Sequence, residues 1–230
     1  MDKLSKIYYI NLARRSDRRQ HFVIQCKIEG IPLDKIQHFE AIDGLTYEFS
    51  KEEIRMFSRC DYLCQPFAKK IMGNQLSHYA ILKDMIEKQY EYIIILQDDV
   101  IFKPGFNQRI DKVLTSIPDD AEIVTIGLHK YALYSHFVPW DLSAENDRDS
   151  ISKQQINNEI CILHDSINPC SLAYIVTLKG ATNLVNYFDA VGFTRATDWN
   201  FNDYLKNRNI FYGSTTVLCT GNPNLGSDIF

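Results

Sequence analysis

The chain has 230 residues, of which 45% are hydrophobic, and it carries a formal net charge of -4. That length and content suffice for a full core in a single α/β domain spanning residues 1–230. The acidic balance, with a pI near 5.9, argues against a nucleic-acid partner, because phosphate-backbone surfaces need clustered excess Lys and Arg.

Lys6 to Leu12 opens on an Ile-Tyr-Tyr-Ile run that predicts a strand, and Ser16 is placed to cap a helix through Arg19, Phe22, Val23 and Cys26 to Gly30. Gly30-Ile31-Pro32 stops that helix, and Ile36 to Ala41 predicts a second strand ending at an Asp43-Gly44 turn. Ser50 to Phe57 predicts a short helix, and Arg59 to Lys70 an irregular connection. From Asn74 to about Tyr90 the spacing predicts a longer helix, with Asn74, Ser77, His78 and Ile81 on one side and Leu82, Met85 and Ile86 on another. Tyr92 to Leu96 is apolar without alternation, as a central parallel strand covered on both faces would be, and it ends in Gln97-Asp98-Asp99. A helix near Phe106 to Ile117 and a strand from Glu122 to Gly127 follow. Residues from about His129 to Lys153 keep no period and predict a long loop or lid. Beyond it come strands at Ile160 to Leu163 and Leu172 to Thr177, helices at Lys179 to Phe188 and Trp199 to Asn207, a late strand from Ile210 to Leu218 and a loop-like tail. The repeated β-α alternation predicts a mainly parallel central sheet.

No stretch approaches the roughly 20 apolar residues of a membrane helix, and Lys3 and Lys6 open the chain around a strand, so a cytoplasmic protein without signal peptide or membrane anchor is expected. The six cysteines lack paired metal spacing and are expected to be reduced and mostly buried.

Three constellations carry chemistry. Asp98 and Asp99 follow a buried strand, where ligands of open α/β sheets collect. They read either as the start of a turn towards Pro104-Gly105 or as a site for Mn2+ or Mg2+, whose hard oxygen ligands bridge phosphates. Adjacent extended residues face opposite ways, so one of the two, Asp99, is expected to ligate directly. Asn11 through Arg19 joins a strand end to a helix start with four arginines; it suits a base, ribose or phosphate, or forms a solvated basic face, the latter being the expectation for Arg15 and Arg19. Asp198-Trp199 is either a helix N-cap or a carboxylate base at an aromatic-walled acceptor site. His78 is read as a structural histidine.

Taken in order, these blocks resemble glycosyltransferase family 25, the lipopolysaccharide-biosynthesis and collagen galactosyltransferases. Tyr9 through Arg19 resembles the opening strand and arginine-rich turn, Phe39-Glu40-Ala41-Ile42-Asp43-Gly44 the next strand and turn, and Gly73 through His78 the glycine-to-Ser-His block. Ile95 through Val100 resembles the metal motif, Ala173-Tyr174 to Lys179-Gly180-Ala181 the following strand-helix unit, and Asp198-Trp199 the block after it. Three positions depart: Gln97 replaces an acidic residue, Lys70-Ile71 a Gly-Glu pair, and Ala173 a glycine. Gln97 loses a charge but keeps an oxygen acceptor at the metal or donor sugar.

The resemblance implies a GT-A-like (Rossmann-like) nucleotide-diphospho-sugar transferase fold, a UDP-sugar donor, Mn2+ and inversion. Asp198 would then be the base, and Asp99, helped by Asp98 and Asp228, would hold the metal. Asn11, Leu12 and Arg14 would contact the nucleoside, Arg18, Asn74 and Ser77 would line the donor pocket, and Trp199 and Tyr174 would face the acceptor, a glycan, lipid-linked sugar or protein hydroxyl. Two rival readings are a UDP-sugar-binding protein without transfer activity, motivated by Gln97, and a metal-dependent phosphohydrolase using Asp98 and Asp99.

Overall fold

The computed structural model describes residues 3–128, 152–163, 171–206, 208 and 211–228. The lid expected at 129–153 falls almost wholly outside the described residues, as does Cys170. The first half runs β1 (Leu4–Asn11), α1 (Ser16–Ile28), β2 (Ile36–Glu40), α2 (Lys51–Met56), α3 (Ala68–Glu87), β3 (Tyr92–Gln97), β4 (Val100–Phe102), α4 (Phe106–Ser116), β5 (Ile123–Thr125) and β6 (Gly127–Leu128). The second runs β7 (Ser152–Gln155), β8 (Ile160–Leu163), β9 (Ala173–Thr177), α5 (Leu178–Val191), α6 (Thr197–Lys206), β10 (Tyr212–Ser214) and β11 (Cys219–Gly221).

Eight strands form one sheet in the order β2-β1-β3-β9-β5-β10-β8-β7, and β4, β11 and β6 form a small second sheet. The fold is α/β as expected, but the large sheet is mixed. Strand β1 is parallel to β2 and β3, and β10 to β5, whereas the β3–β9, β5–β9, β8–β10 and β7–β8 pairs are antiparallel. The expectation of a mainly parallel sheet fails at β9, which inserts between β3 and β5 in the opposite sense. Ala173 to Val176 are buried on both faces, so their apolar run is the same for either direction.

Helices cover both faces of the sheet. Tyr8, Ile10, Ile93, Ile95, Tyr174 and Val176 point one way, into a core with Leu76, Leu82 and Met85 of α3, Leu184 and Phe188 of α5, and Phe201 of α6. The alternate residues Ile7, Tyr9, Ile94, Leu96 and Ile175 point the other way, onto Phe22 and Cys26 of α1 and Phe106, Ile110 and Val113 of α4. This period-2 division explains why β3 reads as unbroken apolar sequence: both of its faces are core.

Several boundaries differ from expectation. Ser16 is the first helical residue of α1 rather than its cap; Arg15 holds the cap position without a side-chain bond. Helix α3 starts at Ala68, six residues before Asn74, so Lys70 lies in its first turn. Asp198 lies inside the first turn of α6, not at its cap. The late strand is two short ones, β10 and β11, in different sheets. Ser50 does cap α2, through a reciprocal box with Glu53. Among the described cysteines all five are free, and only Cys64 is exposed.

Candidate active site

Strand order reverses at β1: the chain passes from β1 outward to β2 and then returns to place β3 on the other side. In open α/β sheets a crevice forms beyond the carboxyl ends of strands at such a switch point. Here the ends of β1, β2 and β3 open into a cleft whose empty volume, counted with its open mouth, is ≈ 640 Å³. Ile10 and Leu12 line it after β1, Ala41 to Gly44 after β2, and Gln97 to Asp99 after β3, with Arg14 and Arg18 from the α1 side, Lys70 and Asn74 from α3, and Ser227 and Asp228 from the tail.

The α1 wall is built from ion pairs. Arg18, Phe22 and Cys26 form one buried stripe along α1, and Phe22 stacks on Tyr9 of β1 with ring centroids 4.1 Å apart. That stack fixes the helix on the sheet and puts Arg18, one turn earlier, at the end of β3. Arg18 Nη1 lies 2.8 Å from Asp98 Oδ1, and Asn11 Nδ2 donates to Asp98 Oδ2 at 2.7 Å. Asp98 is thus buried with both oxygens satisfied, as a buried carboxylate must be. Arg14 bridges Asp43 at 2.8 Å and Asp228 at 2.7 Å. Arg15 also grips Asp228, and it donates to the Leu225 carbonyl at 3.1 Å. Contrary to expectation Arg15 is no solvated bystander: with Arg18, which reaches the Leu225 and Gly226 carbonyls, it ties the tail to α1.

Asp99 is the contrast. Its Oδ1 is buried without a hydrogen-bond partner, and Arg18 stays 3.9 Å from Oδ2. Burial, with the nearby Asp98 and Asp228 charges acting against Arg18, pushes its carboxyl up to about 6. A buried carboxylate oxygen without a partner is costly, and a divalent cation would satisfy it. Among the described residues no three His, Cys, Asp or Glu side chains converge as a metal cage. Ions of the Mg2+ type, however, take one or two carboxylates and complete their shell with water and substrate phosphates, so the donor set fits that mode of binding.

The α3 wall is built from close packing. A Cβ on Gly44 would lie 1.7 Å from the Lys69 carbonyl oxygen, and one on Gly73 would lie 2.2 Å from that of Ile42. Ser77 Oγ accepts from the Ile42 N–H at 2.9 Å and donates to the Gly73 carbonyl at 2.7 Å. Contrary to the expectation that it lines the pocket, Ser77 does not reach the cleft; it is fully buried and clamps the loop after β2 onto α3. Asn74 does line the cleft, and its Oδ1 accepts from Thr197 Oγ1 at 2.8 Å, which docks the start of α6 beside it. Asp198 and the exposed Trp199 follow directly on α6, although neither lines the cleft itself.

Two further aromatic and imidazole groups prove to be core. Tyr174 is 1% exposed and its hydroxyl meets His78 Nδ1 at 2.8 Å, so it reaches no acceptor surface. The apolar face that made it legible as part of a strand is the reason it is inaccessible. Burial pushes His78 down to about 3, a neutral structural imidazole. Asp43, Lys70 and Arg15 were missed as site residues. The first stood in a plain turn motif, the second outside the expected helix, and the third was assigned to solvent.

The match to known proteins follows this geometry. The model of glycosyltransferase family 25 (LPS biosynthesis protein) matches residues 4–199, from β1 through the cleft to α6. The chain belongs to glycosyltransferase family 25. It is 25% identical over 188 residues to procollagen galactosyltransferase 2 of Homo sapiens, covering 78% of this chain and 27% of that protein. It is 28% identical over 189 residues to a glycosyltransferase 25 family member of Anopheles gambiae, covering 79% and 28%. The chain thus spans little more than a quarter of the length of these relatives. Among solved structures, a glycosyltransferase involved in glycosylation of the major capsid of PBCV-1 aligns at 14% identity and a TM-score of 0.31, over 80% of this chain and 65% of that one. Among the described residues no helix is long and apolar enough to cross a membrane.

Proposed function

We propose that the cleft binds a UDP-hexose with Mn2+ or Mg2+ on its diphosphate, and that the chain transfers the hexose, with inversion, to a hydroxyl of a glycan, lipid-linked sugar or protein side chain. The observation that carries this reading is the unpartnered, buried Asp99 oxygen in a cleft at the switch point of a family 25 chain. Galactose is the first sugar to try, because the human relative is a procollagen galactosyltransferase by name.

In this reading Asp99 would hold the cation, with Asp228 joining as a second carboxylate by exchanging its arginine contacts, and a cation there would supply charge to offset that of the leaving diphosphate. Leu12 and Arg14 flank the nucleoside, and Asn11 acts indirectly by orienting Asp98. Arg18 keeps the strand end charged and ordered, while Gln97 and Asn74 offer amide groups to hydroxyls of the donor sugar. Asp198 takes the proton from the acceptor hydroxyl at a carboxylate oxygen, and the exposed Trp199 face receives the acceptor ring. Asn74 and Thr197, bonded to each other, hold the two sugars' subsites together, which is the positioning a single displacement requires.

The experiment is calorimetric binding and slow hydrolysis of a UDP-sugar panel, with and without Mn2+, in wild type and Asp99→Ala. Mn2+-dependent binding and turnover of one UDP-sugar, lost in the variant, is the expected result. Binding without turnover on any acceptor points to a nucleotide-sugar-binding protein instead, and no UDP-sugar binding at all sinks the reading.

A further inference from the structure

Three cations line the cleft, and two of them are already paired: Arg14 with Asp43 and Asp228, Arg18 with Asp98. Lys70 is the third, and among the described residues its ammonium has no hydrogen-bond or ion-pair partner. It is also well placed by the backbone. The Lys69–Lys70 peptide packs directly on Gly44, with the Lys70 nitrogen 2.9 Å from where a Gly44 Cβ would stand. Gly73 and Ser77 clamp the next turn of α3 to Ile42, so the Cα of Lys70 cannot drift from the wall. Lys70 and Asn74 stand four residues apart on the same cleft-facing stripe of α3. Lys70 is half-buried and lines the cleft, and a lysine so placed can bury its stem while its charged end stays in the open volume.

The charge balance says what that end is for. Among the described residues four carboxylates, Asp43, Asp98, Asp99 and Asp228, face three cations in the cleft, so that part of the lining is net negative before any ligand arrives. A diphosphate adds further negative charge, and the paired arginines cannot counter it without giving up carboxylates that are themselves half-buried or buried. Only Lys70 offers a positive charge at no such cost. We propose that Lys70 is a diphosphate-binding residue of this chain, which contacts a phosphate oxygen of the bound nucleotide from the wall opposite Asp98 and Asp99. The proposal rests on the nucleotide-sugar reading above and adds to it a specific ligand contact from α3.

The test is titration of UDP and of uridine, each in saturating Mn2+, into wild type, Lys70→Met and Lys70→Arg. Lys70→Met should lower UDP affinity about tenfold and leave uridine affinity unchanged, while Lys70→Arg stays within about threefold of wild type for both. Unchanged UDP affinity in Lys70→Met overturns the proposal while leaving the nucleotide-sugar reading intact. An equal loss for UDP and uridine overturns it too, because that pattern belongs to a wall residue rather than a phosphate contact. If wild type binds neither compound, the nucleotide-sugar reading fails and this proposal falls with it.

Discussion

On the α1 side of the cleft, Arg14, Arg15 and Arg18 hold Asp43, Asp98 and Asp228 through charged contacts that link β1, β2, β3 and the tail. On the α3 side, Gly44, Gly73 and Ser77 bring backbone against backbone with no ion pair at the contact. The first wall binds distant segments to one another but spends its charges doing so. The second is held by close packing rather than by charge pairs, which leaves Lys70 and Asn74 to line the cleft. The cleft thus divides its labour: one side assembles the carboxylates and the other holds the loop after β2 against α3.

The sharpest way to break the first wall is Arg18→Leu. It strands Asp98, which is 5% exposed, without its counter-charge, and removing one partner of a buried pair costs about 3–5 kcal/mol. Chemical denaturation should show that loss, together with release of the tail to proteolysis near Leu225. The second wall breaks at Gly44→Ala, whose Cβ would meet the Lys69 carbonyl oxygen at 1.7 Å and force α3 away from the loop. A loss of about 3 kcal/mol is expected, the upper end for overpacking, with UDP-sugar affinity falling alongside the melting temperature.

A pH titration then reads the α3 side from within. His78 is held neutral down to about pH 3, against an ordinary value of 6.5. Below pH 6.5 the unfolded chain takes up a proton there that the folded chain refuses, so this group's contribution is complete above 6.5 and declines as pH falls towards 3. Wild type should lose up to about 1.4 kcal/mol per pH unit in that window from His78 alone. Denaturation curves of His78→Gln between pH 7 and pH 4 should be flatter, and parallel curves for the two proteins would refute the assignment. The smallest effect separates the neighbouring carboxylates. Asp99→Asn removes a charge whose buried Oδ1 has no hydrogen-bond partner and whose ion pair with Arg18 is long, at 3.9 Å, so stability should hold or rise by about 1 kcal/mol while the proposed Mn2+-dependent binding disappears. Asp98→Asn should do the reverse in stability, because it removes the partner of Arg18.

Much of the cleft was legible because its residues sit where strands end. Asp98 and Asp99 follow an apolar run, Asn11 and Arg14 follow another, and the pleat alone predicts that the two aspartates face different ways. What stayed hidden depended on contacts between residues far apart in the chain. Nothing near Arg15 announces Asp228, more than two hundred residues later, so a solvated face was the natural reading. Lys70 stands out in the sequence only as a departure from the family pattern, with no role attached, because Gln65 to Lys70 carries no apolar period although α3 begins at Ala68. Strand direction leaves no mark on composition when both faces are buried, so a mainly parallel sheet was the natural expectation and the reversed β9 stayed hidden.

The reversed β9 also bears on how the chain is made. Synthesis delivers β1, β2 and β3 before β9, and these can pair with one another, but among the described residues the other edge of β3, with Ile93, Ile94 and Ile95, finds its partner in residues 173–177. Strand β5 is likewise shut out of the growing sheet until that same segment arrives. From the emergence of Gln97 to that of Thr177 the nascent polypeptide therefore carries an apolar, unpaired strand edge, the kind that invites pairing with other chains. Slowing translation across this interval would lengthen the exposure, and the yield of native protein would depend on how promptly a chaperone covers the β3 edge.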